Sequence, residues 1–307
     1  MKLGAGRVTC QGEMMMRVEL AHRCNNSLGE GIIWSAKDRE IQWTDILGQT
    51  FWRFDPVSGQ AITTPLGERL SCFAALGGGQ LLAGFASGLA RLDISSGQRT
   101  LISEIEEDLP TTRLNDGKLD RQGRFVFGTM DESAAGPSPL GHLWSYDGRS
   151  QPKRLINDVR ISNSIAFSPD GTLMYFADTP NRRIDVFDYD GESGTPSNRR
   201  VFVQLGSDAG YPDGSTVDAE GYLWNAEWDG GRVVRYNPNG SIDRIVQIPV
   251  PLVTCCAFGG PDLTQLYVTT ACVTLDDDTL KKAPLSGSLF VINTDIKGLC
   301  DADPLYQ

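Results

Sequence analysis

The chain has 307 residues, with 28 Lys and Arg against 39 Asp and Glu, a net charge of −11 and only two histidines. That balance excludes nucleic acid and anionic membrane surfaces as partners, because both demand a basic patch. No apolar run approaches the ~20 residues of a membrane span, and seven cysteines without any Cys-x-x-Cys spacing read as reduced, cytoplasmic usage.

Residues 1–15 lack the apolar stretch of a signal peptide and are expected as a disordered extension. Met14-Met15-Met16 offers a second candidate translation start beside Met1. Residues 16–307 read as one domain. Arg17-Val-Glu-Leu-Ala21 alternates like a strand. A first group of short β-rich runs follows: Ile32–Trp34, Ile41–Asp45, Thr50–Asp55 and Gln60–Thr64, divided by Asp, Gly and Ser turns. A second group has Gly77-Gly-Gly79, then Leu81–Phe85, Gly88–Asp93 and Arg99–Ile102. A third has Arg124–Gly128 and His142–Asp147, with a longer loop over Asp131–Leu140 between them. The fourth contains Thr172–Asp178, Arg183–Asp188 and Arg200–Val203; the fifth Gly221–Asn225, Gly231–Tyr236 and Arg244–Ile248. The sixth offers Gln265–Thr269 and Ser288–Ile292 around the acidic Asp276-Asp-Asp278, and then runs out.

The groups are copies of one unit. Turn positions 38, 79, 123, 171, 221 and 263 are 41, 44, 48, 50 and 42 residues apart, the spacing of β-propeller blades. No helical periodicity exceeds two turns. The expected fold is all-β, a six-bladed β-propeller. Its last blade lacks a fourth strand, which Arg17–Ala21 can supply, closing the ring and removing a sheet edge.

Eight residues before each turn position stand Glu30, Ser71, Asn115, Asn163, Asp213 and Cys255. In a propeller the first strand of each blade lines the axis, so Glu30, Asn163 and Asp213 converge from three blades and Asn115 joins the same ring. A polar residue beside a Gly-rich turn commonly does no more than hydrogen-bond its loop; the shared repeat position is what singles these out. Carboxylates facing one another in a narrow channel repel unless something positive lies between them. The donors are hard oxygens, which suits a divalent cation: calcium first, with magnesium, manganese, zinc or iron(II) as other occupants. His22 and His142 fall outside the ring, which argues against a Ser-His-Asp triad or a histidine zinc site. Adjacent Cys255 and Cys256 are expected as packing residues.

Gly29-Glu-Gly31, Arg113-Leu-Asn-Asp-Gly-Lys118, Gly128-Thr-Met130, Ser162-Asn-Ser-Ile-Ala-Phe-Ser-Pro-Asp-Gly171, Pro212-Asp-Gly214, Gly230-Gly-Arg-Val233 and Cys256-Ala-Phe-Gly-Gly260 together resemble the SMP-30/gluconolactonase family. The resemblance implies a propeller that hydrolyses sugar lactones with a divalent metal on its axis. It implies Glu30, Asn163 and Asp213 as metal ligands, Arg113 and Asn115 as a substrate-binding pair, and Asp213 as general base. Of the two acids after Met130 it assigns Glu132 to substrate. Ser164 replaces the family's usual glycine after the asparagine ligand, leaving the ligand itself intact. A metal would polarise the lactone carbonyl and lower the pKa of a bound water.

The expected activity is hydrolysis of an aldonolactone to the free acid by a monomer or weak homo-oligomer. Two other readings stand beside it: a related propeller esterase or phosphotriesterase, and a non-catalytic binding propeller. Loops Asp131–Leu140, Leu205–Gly210 and Thr274–Pro284 are expected to choose the sugar.

Overall fold

Short runs rich in Val, Ile, Phe, Tyr, Trp and Thr cannot bury themselves singly, and each repeat resolves this by pairing four of them into an antiparallel sheet. A computed structural model describes residues 16–306, so the expected extension over residues 1–15 lies outside them. After β1 (Arg17–His22), blade 1 contains β2 (Gly29–Ser35), β3 (Glu40–Asp45), β4 (Thr50–Asp55) and β5 (Gln60–Pro65). Blade 2 contains β6 (Leu70–Gly77), β7 (Gln80–Phe85), β8 (Gly88–Asp93) and β9 (Arg99–Glu104). Blade 3 contains β10 (Thr112–Leu119), β11 (Phe125–Asp131), β12 (Gly141–Tyr146) and β13 (Lys153–Val159). Blade 4 contains β14 (Ser162–Phe167), β15 (Leu173–Asp178), β16 (Arg183–Asp190) and β17 (Thr195–Gln204). Blade 5 contains β18 (Tyr211–Val217), β19 (Leu223–Trp228), β20 (Arg232–Tyr236) and β21 (Ile242–Gln247); blade 6 has β22 (Val253–Gly259), β23 (Gln265–Thr270) and β24 (Leu289–Asn293).

The innermost strands β2, β6, β10, β14, β18 and β22 touch in sequence, and β22 returns to β2. This is a six-bladed β-propeller, as the repeat spacing predicts. β1 pairs antiparallel with β24, from Arg17 opposite Asn293 to His22 opposite Leu289, so the N-terminal strand completes blade 6. The apolar core is divided by the same symmetry into six clusters, each between neighbouring blades. Phe125 and Phe127 meet Cys72 and Leu82 between blades 2 and 3, and Trp224 meets Phe258 between blades 5 and 6. Each sheet thus buries one face against the blade before it and the other against the blade after, which is why the inner strands read as continuous apolar runs.

Three features go beyond the sequence reading. β13 completes blade 3 although its mostly exposed residues carry no clear strand pattern. The acidic run at 276–278 starts a short helix, α1 (Asp277–Lys282): the Asp276 side chain accepts from the Thr279 amide at 2.8 Å and Lys281 and Lys282 fall in the last turn. The C-terminal tail crosses the turn end of the channel, with the Gly298 amide on the Leu263 carbonyl, the Leu305 amide on the Gly123 carbonyl and Lys37 paired with Asp303 at 3.1 Å. Among the described residues, no helix is long and apolar enough to cross a membrane.

Candidate active site

All six innermost strands slip register by one residue near the ring position: between Glu30 and Ile33, Leu70 and Cys72, Leu114 and Gly117, Asn163 and Ala166, Pro212 and Ser215, and Val253 and Cys255. A bulge turns its extra residue out of the ladder and re-aims the neighbouring side chain. In blade 1 the bulge needs Gly31, whose φ is 60° and whose missing Cβ would lie 2.9 Å from the Ser71 carbonyl oxygen. In blade 4 the equivalent left-handed residue is Ser164, at φ 56°.

Glu30 and Asp213 carry charges close enough to perturb each other. Burial first, and the Asp116 charge second, push the Glu30 carboxyl up to about 8. Burial, then Glu30, then Asp116, push Asp213 well above the carboxylate range. Neither forms an ion pair within the described residues, and the Glu30 Oε2 meets only the Gly31 amide at 3.1 Å. Asp116 is the third carboxylate of this group, missing from the ring expectation; it accepts from the Ile165 amide at 3.0 Å and its pKa is raised by burial. Its signal in the sequence is its place next to Asn115, inside the bulge. Below it Lys118 shares cavities with Asp301 of the tail. Burial acts to lower the Lys118 ammonium, but the charges of Asp301 first and of Asp116 act the other way and raise it.

Beside the carboxylates runs a directed chain of hydrogen bonds across blades 3, 4 and 5. Arg113 Nη1 donates to Asn115 Oδ1 at 2.8 Å, Asn115 Nδ2 to Asn163 Oδ1 at 3.0 Å, Asn163 Nδ2 to Thr179 Oγ1 at 2.8 Å, and Thr179 Oγ1 to the Pro212 carbonyl at 2.9 Å. Arginine only donates and a carbonyl only accepts, so the direction of the chain is fixed at both ends, and with it the orientation of both amides. Asn163 therefore keeps its oxygen toward the site with a lone pair to spare. Asn115 spends its other N–H on the Ser162 carbonyl at 2.9 Å, leaving it no donor for a ligand. Toward a ligand Asn115 has only an acceptor to offer, and its amide nitrogen bonds the Asn163 oxygen.

Arg113 is buried, and instead of pairing with Asp116 its Nε donates to Glu132 Oε1 at 2.8 Å. Its Nη1 serves Asn115, the Leu114 carbonyl at 2.8 Å and Ser71 Oγ at 3.3 Å. Nη2 meets no acceptor among the described residues, so two N–H groups are left for a ligand. Of the two acids after Met130, Asp131 closes its own loop through Ser133 Oγ at 2.6 Å and the Ser138 amide at 2.8 Å, and Glu132 alone reaches Arg113. Arg69, which no repeat position marks, binds Glu132 from the neighbouring blade. His22 packs on Trp52 and Phe54, and His142 Nδ1 meets Glu106 at 2.6 Å; neither belongs to the ring.

The residues fit a hard divalent cation. Two carboxylates without basic partners and one amide oxygen held in place are an oxygen donor set. The remaining ring positions add nothing soft: one is the hydroxyl of Ser71, and at the other burial, then Glu30 and Asp116, push the Cys255 thiol up, so it stays protonated. Among the described residues no three Asp, Glu, His or Cys side chains group as ligands, so a cation on the axis would have to draw on Asn163 besides Glu30 and Asp213.

A model of the SMP-30/Gluconolactonase/LRE-like region matches residues 28–272. The chain belongs to this family. Within it, the L-arabinolactonase of Azospirillum brasilense is 43% identical over 279 residues, covering 90% of this chain and 92% of that protein. The 6-deoxy-6-sulfogluconolactonase of Pseudomonas putida is 34% identical over 281 residues, covering 91% and 94%. Among solved structures, a calcium-binding regucalcin from Agrobacterium tumefaciens superposes with a TM-score of 0.89 at 33% identity, over 95% of this chain and 98% of that one. The resemblance read from the motifs is thereby borne out at the level of the SMP-30/gluconolactonase family, and the propeller with it.

Proposed function

We propose that this family member hydrolyses a sugar lactone, an aldonolactone, to its aldonic acid, with a divalent cation held by Glu30, Asn163 and Asp213. The observation that carries the reading is a pair of carboxylates, Asp213 buried and Glu30 half-buried, that form no ion pair among the described residues and lie beside an arginine whose Nη2 is unspent. The lactonases among its relatives support the same reaction class, and the calcium-binding regucalcin supports the cation.

A bound cation supplies charge to stabilise the developing oxyanion and acidifies water. Asp213 takes a proton from the attacking water and passes it to the ring oxygen as the acyl–oxygen bond breaks, so that the acid and the alcohol leave on one chain. Arg113 Nη2 donates to sugar oxygens, and Glu132, kept ionised by its arginines, accepts from a hydroxyl. The substrate is a small neutral or hydroxylated molecule and the enzyme a cytoplasmic one.

The test is a panel of aldonolactones followed by acid release, with spontaneous hydrolysis subtracted. Chelation abolishes turnover, and add-back of calcium, magnesium, manganese, zinc or iron(II) one at a time identifies the cation. Asp213→Asn lowers kcat by about 10²–10⁴-fold. Equal turnover of simple esters or phosphotriesters would move the reading to a general propeller esterase. Lactone hydrolysis at the spontaneous rate in wild type and Asp213→Asn alike would move it to a binding propeller.

A further inference from the structure

Glu132 lies between two guanidinium groups from different blades. Arg113, on β10 beside it, donates from Nε to Oε1 at 2.8 Å; Arg69, in the last turn before β6, donates from Nη1 to Oε1 at 2.9 Å and to Oε2 at 2.8 Å. The side chains of Arg69 and Glu132 are 32% and 30% exposed, that of Arg113 only 4%. Burial raises the Glu132 carboxyl, but Arg113 and then Arg69 outweigh it and hold it below its usual range. The carboxylate is therefore ionised at any working pH and only accepts hydrogen bonds.

A carboxylate facing the Nε edge of an arginine closes a two-bond fork onto Nε and Nη2, the strongest geometry open to the pair. Here that fork is not formed. Oε1 takes Nε, while Oε2 is drawn to Arg69, and Arg113 Nη2 stays without a partner among the described residues. Deleting the Arg69 head would free Oε2 to swing onto Nη2 and consume one of the two N–H groups left for a ligand.

We propose that Arg69 is a positioning residue for substrate: by holding Glu132 Oε2 it keeps Arg113 Nη2 open and aims Glu132 as a fixed acceptor, so the site selects a lactone offering an oxygen to Nη2 and a hydroxyl to Glu132. This rests on the lactonase reading. Arg69 acts through Glu132 and not on the reacting atoms, so its loss weakens ground state and transition state alike.

The experiment is a double-mutant cycle on the best lactone of the panel, using the full chain. Arg69→Met is expected to raise KM about 5–30-fold with kcat within about twofold, and Arg69→Lys to bring KM back within about threefold of wild type. In an Glu132→Gln background, Arg69→Met is expected to change KM by less than about twofold, because no carboxylate remains to be held. Unchanged KM in Arg69→Met overturns the proposal, as does an equal rise in both backgrounds, which would put Arg69 on the substrate itself. Should Arg69→Met melt early, Arg69→Ala in the same two backgrounds gives the same comparison. If wild type turns over no lactone, the lactonase reading falls and this inference with it; if wild type is active and the cycle is additive, only this inference falls.

Discussion

Ser164 holds a left-handed backbone conformation, φ 56°, that costs a residue with a Cβ about 1–2 kcal/mol. Its hydroxyl offsets that cost. Oγ donates to the Asp213 carbonyl at 2.6 Å and accepts from Asn225 Nδ2 at 3.0 Å and Ser215 Oγ at 3.2 Å. Both Ser164→Ala and Ser164→Gly lose the bonds, but only glycine also relieves the backbone. Denaturant unfolding is expected to find both less stable than wild type, with Ala the worse by about 1 kcal/mol; the reverse order would contradict this account. A second residue-scale consequence concerns pH. The Glu30 carboxyl sits at about 8 in the folded chain and near 4.3 in an unfolded one. Across that window the folded, metal-free protein holds a proton the unfolded chain has lost, so its stability falls as pH rises from about 4.5 to 8. Asp213 acts in the same direction. Asp131, whose pKa is lowered first by Ser133, loses its contribution only in acid, outside the window. Urea midpoints in chelator at pH 5 and pH 8 check the sign: the midpoint at pH 8 is expected to be the lower.

At the scale of the element, β1 carries weight out of proportion to its six residues. It covers the outer edge of β24 and brings Val18 against the cluster of Val268, Phe290 and Ile292. Removing residues 1–22 exposes an unpaired edge in blade 6 and part of that cluster. The truncated chain is expected to melt earlier and to aggregate in size-exclusion runs; an intact monomer of unchanged melting temperature would refute the closure argument. The bulges are the other element-scale device. Without the one-residue slip after Glu30 and Asn163, the pleat would carry successive side chains in strict alternation, and the ring residues could not share an end of the channel with Arg113.

Across the whole molecule, a cation at Glu30, Asn163 and Asp213 would tie blades 1, 4 and 5 together, sides of the ring that otherwise meet through neighbouring blades and the crossing tail. Binding to the folded state alone stabilises by RT ln(1 + [L]/Kd), about 2.7 kcal/mol at a hundredfold excess over Kd. Calcium or its substitute is therefore expected to raise the melting temperature by several degrees, and the rise to vanish in Asp213→Asn. An equal rise in that variant would place the cation elsewhere.

The six-bladed ring, its closure by the N-terminal strand and the positions of Glu30, Asn163 and Asp213 were legible from the sequence. Each follows from a local and periodic feature, a ring residue eight positions before its turn within a blade-length repeat. β13 was not legible, because an outer strand exposed on both faces keeps no alternation. Asp116 was passed over because the bulge breaks the alternation that would have given its direction. The tail across the channel, the Arg69–Glu132–Arg113 contact and the spent donors of Asn115 were decided by tertiary structure alone. Each is a meeting between separate blades or between a blade and the tail, set by how the ring closes, and distances of that kind have no period along the chain for a sequence to display.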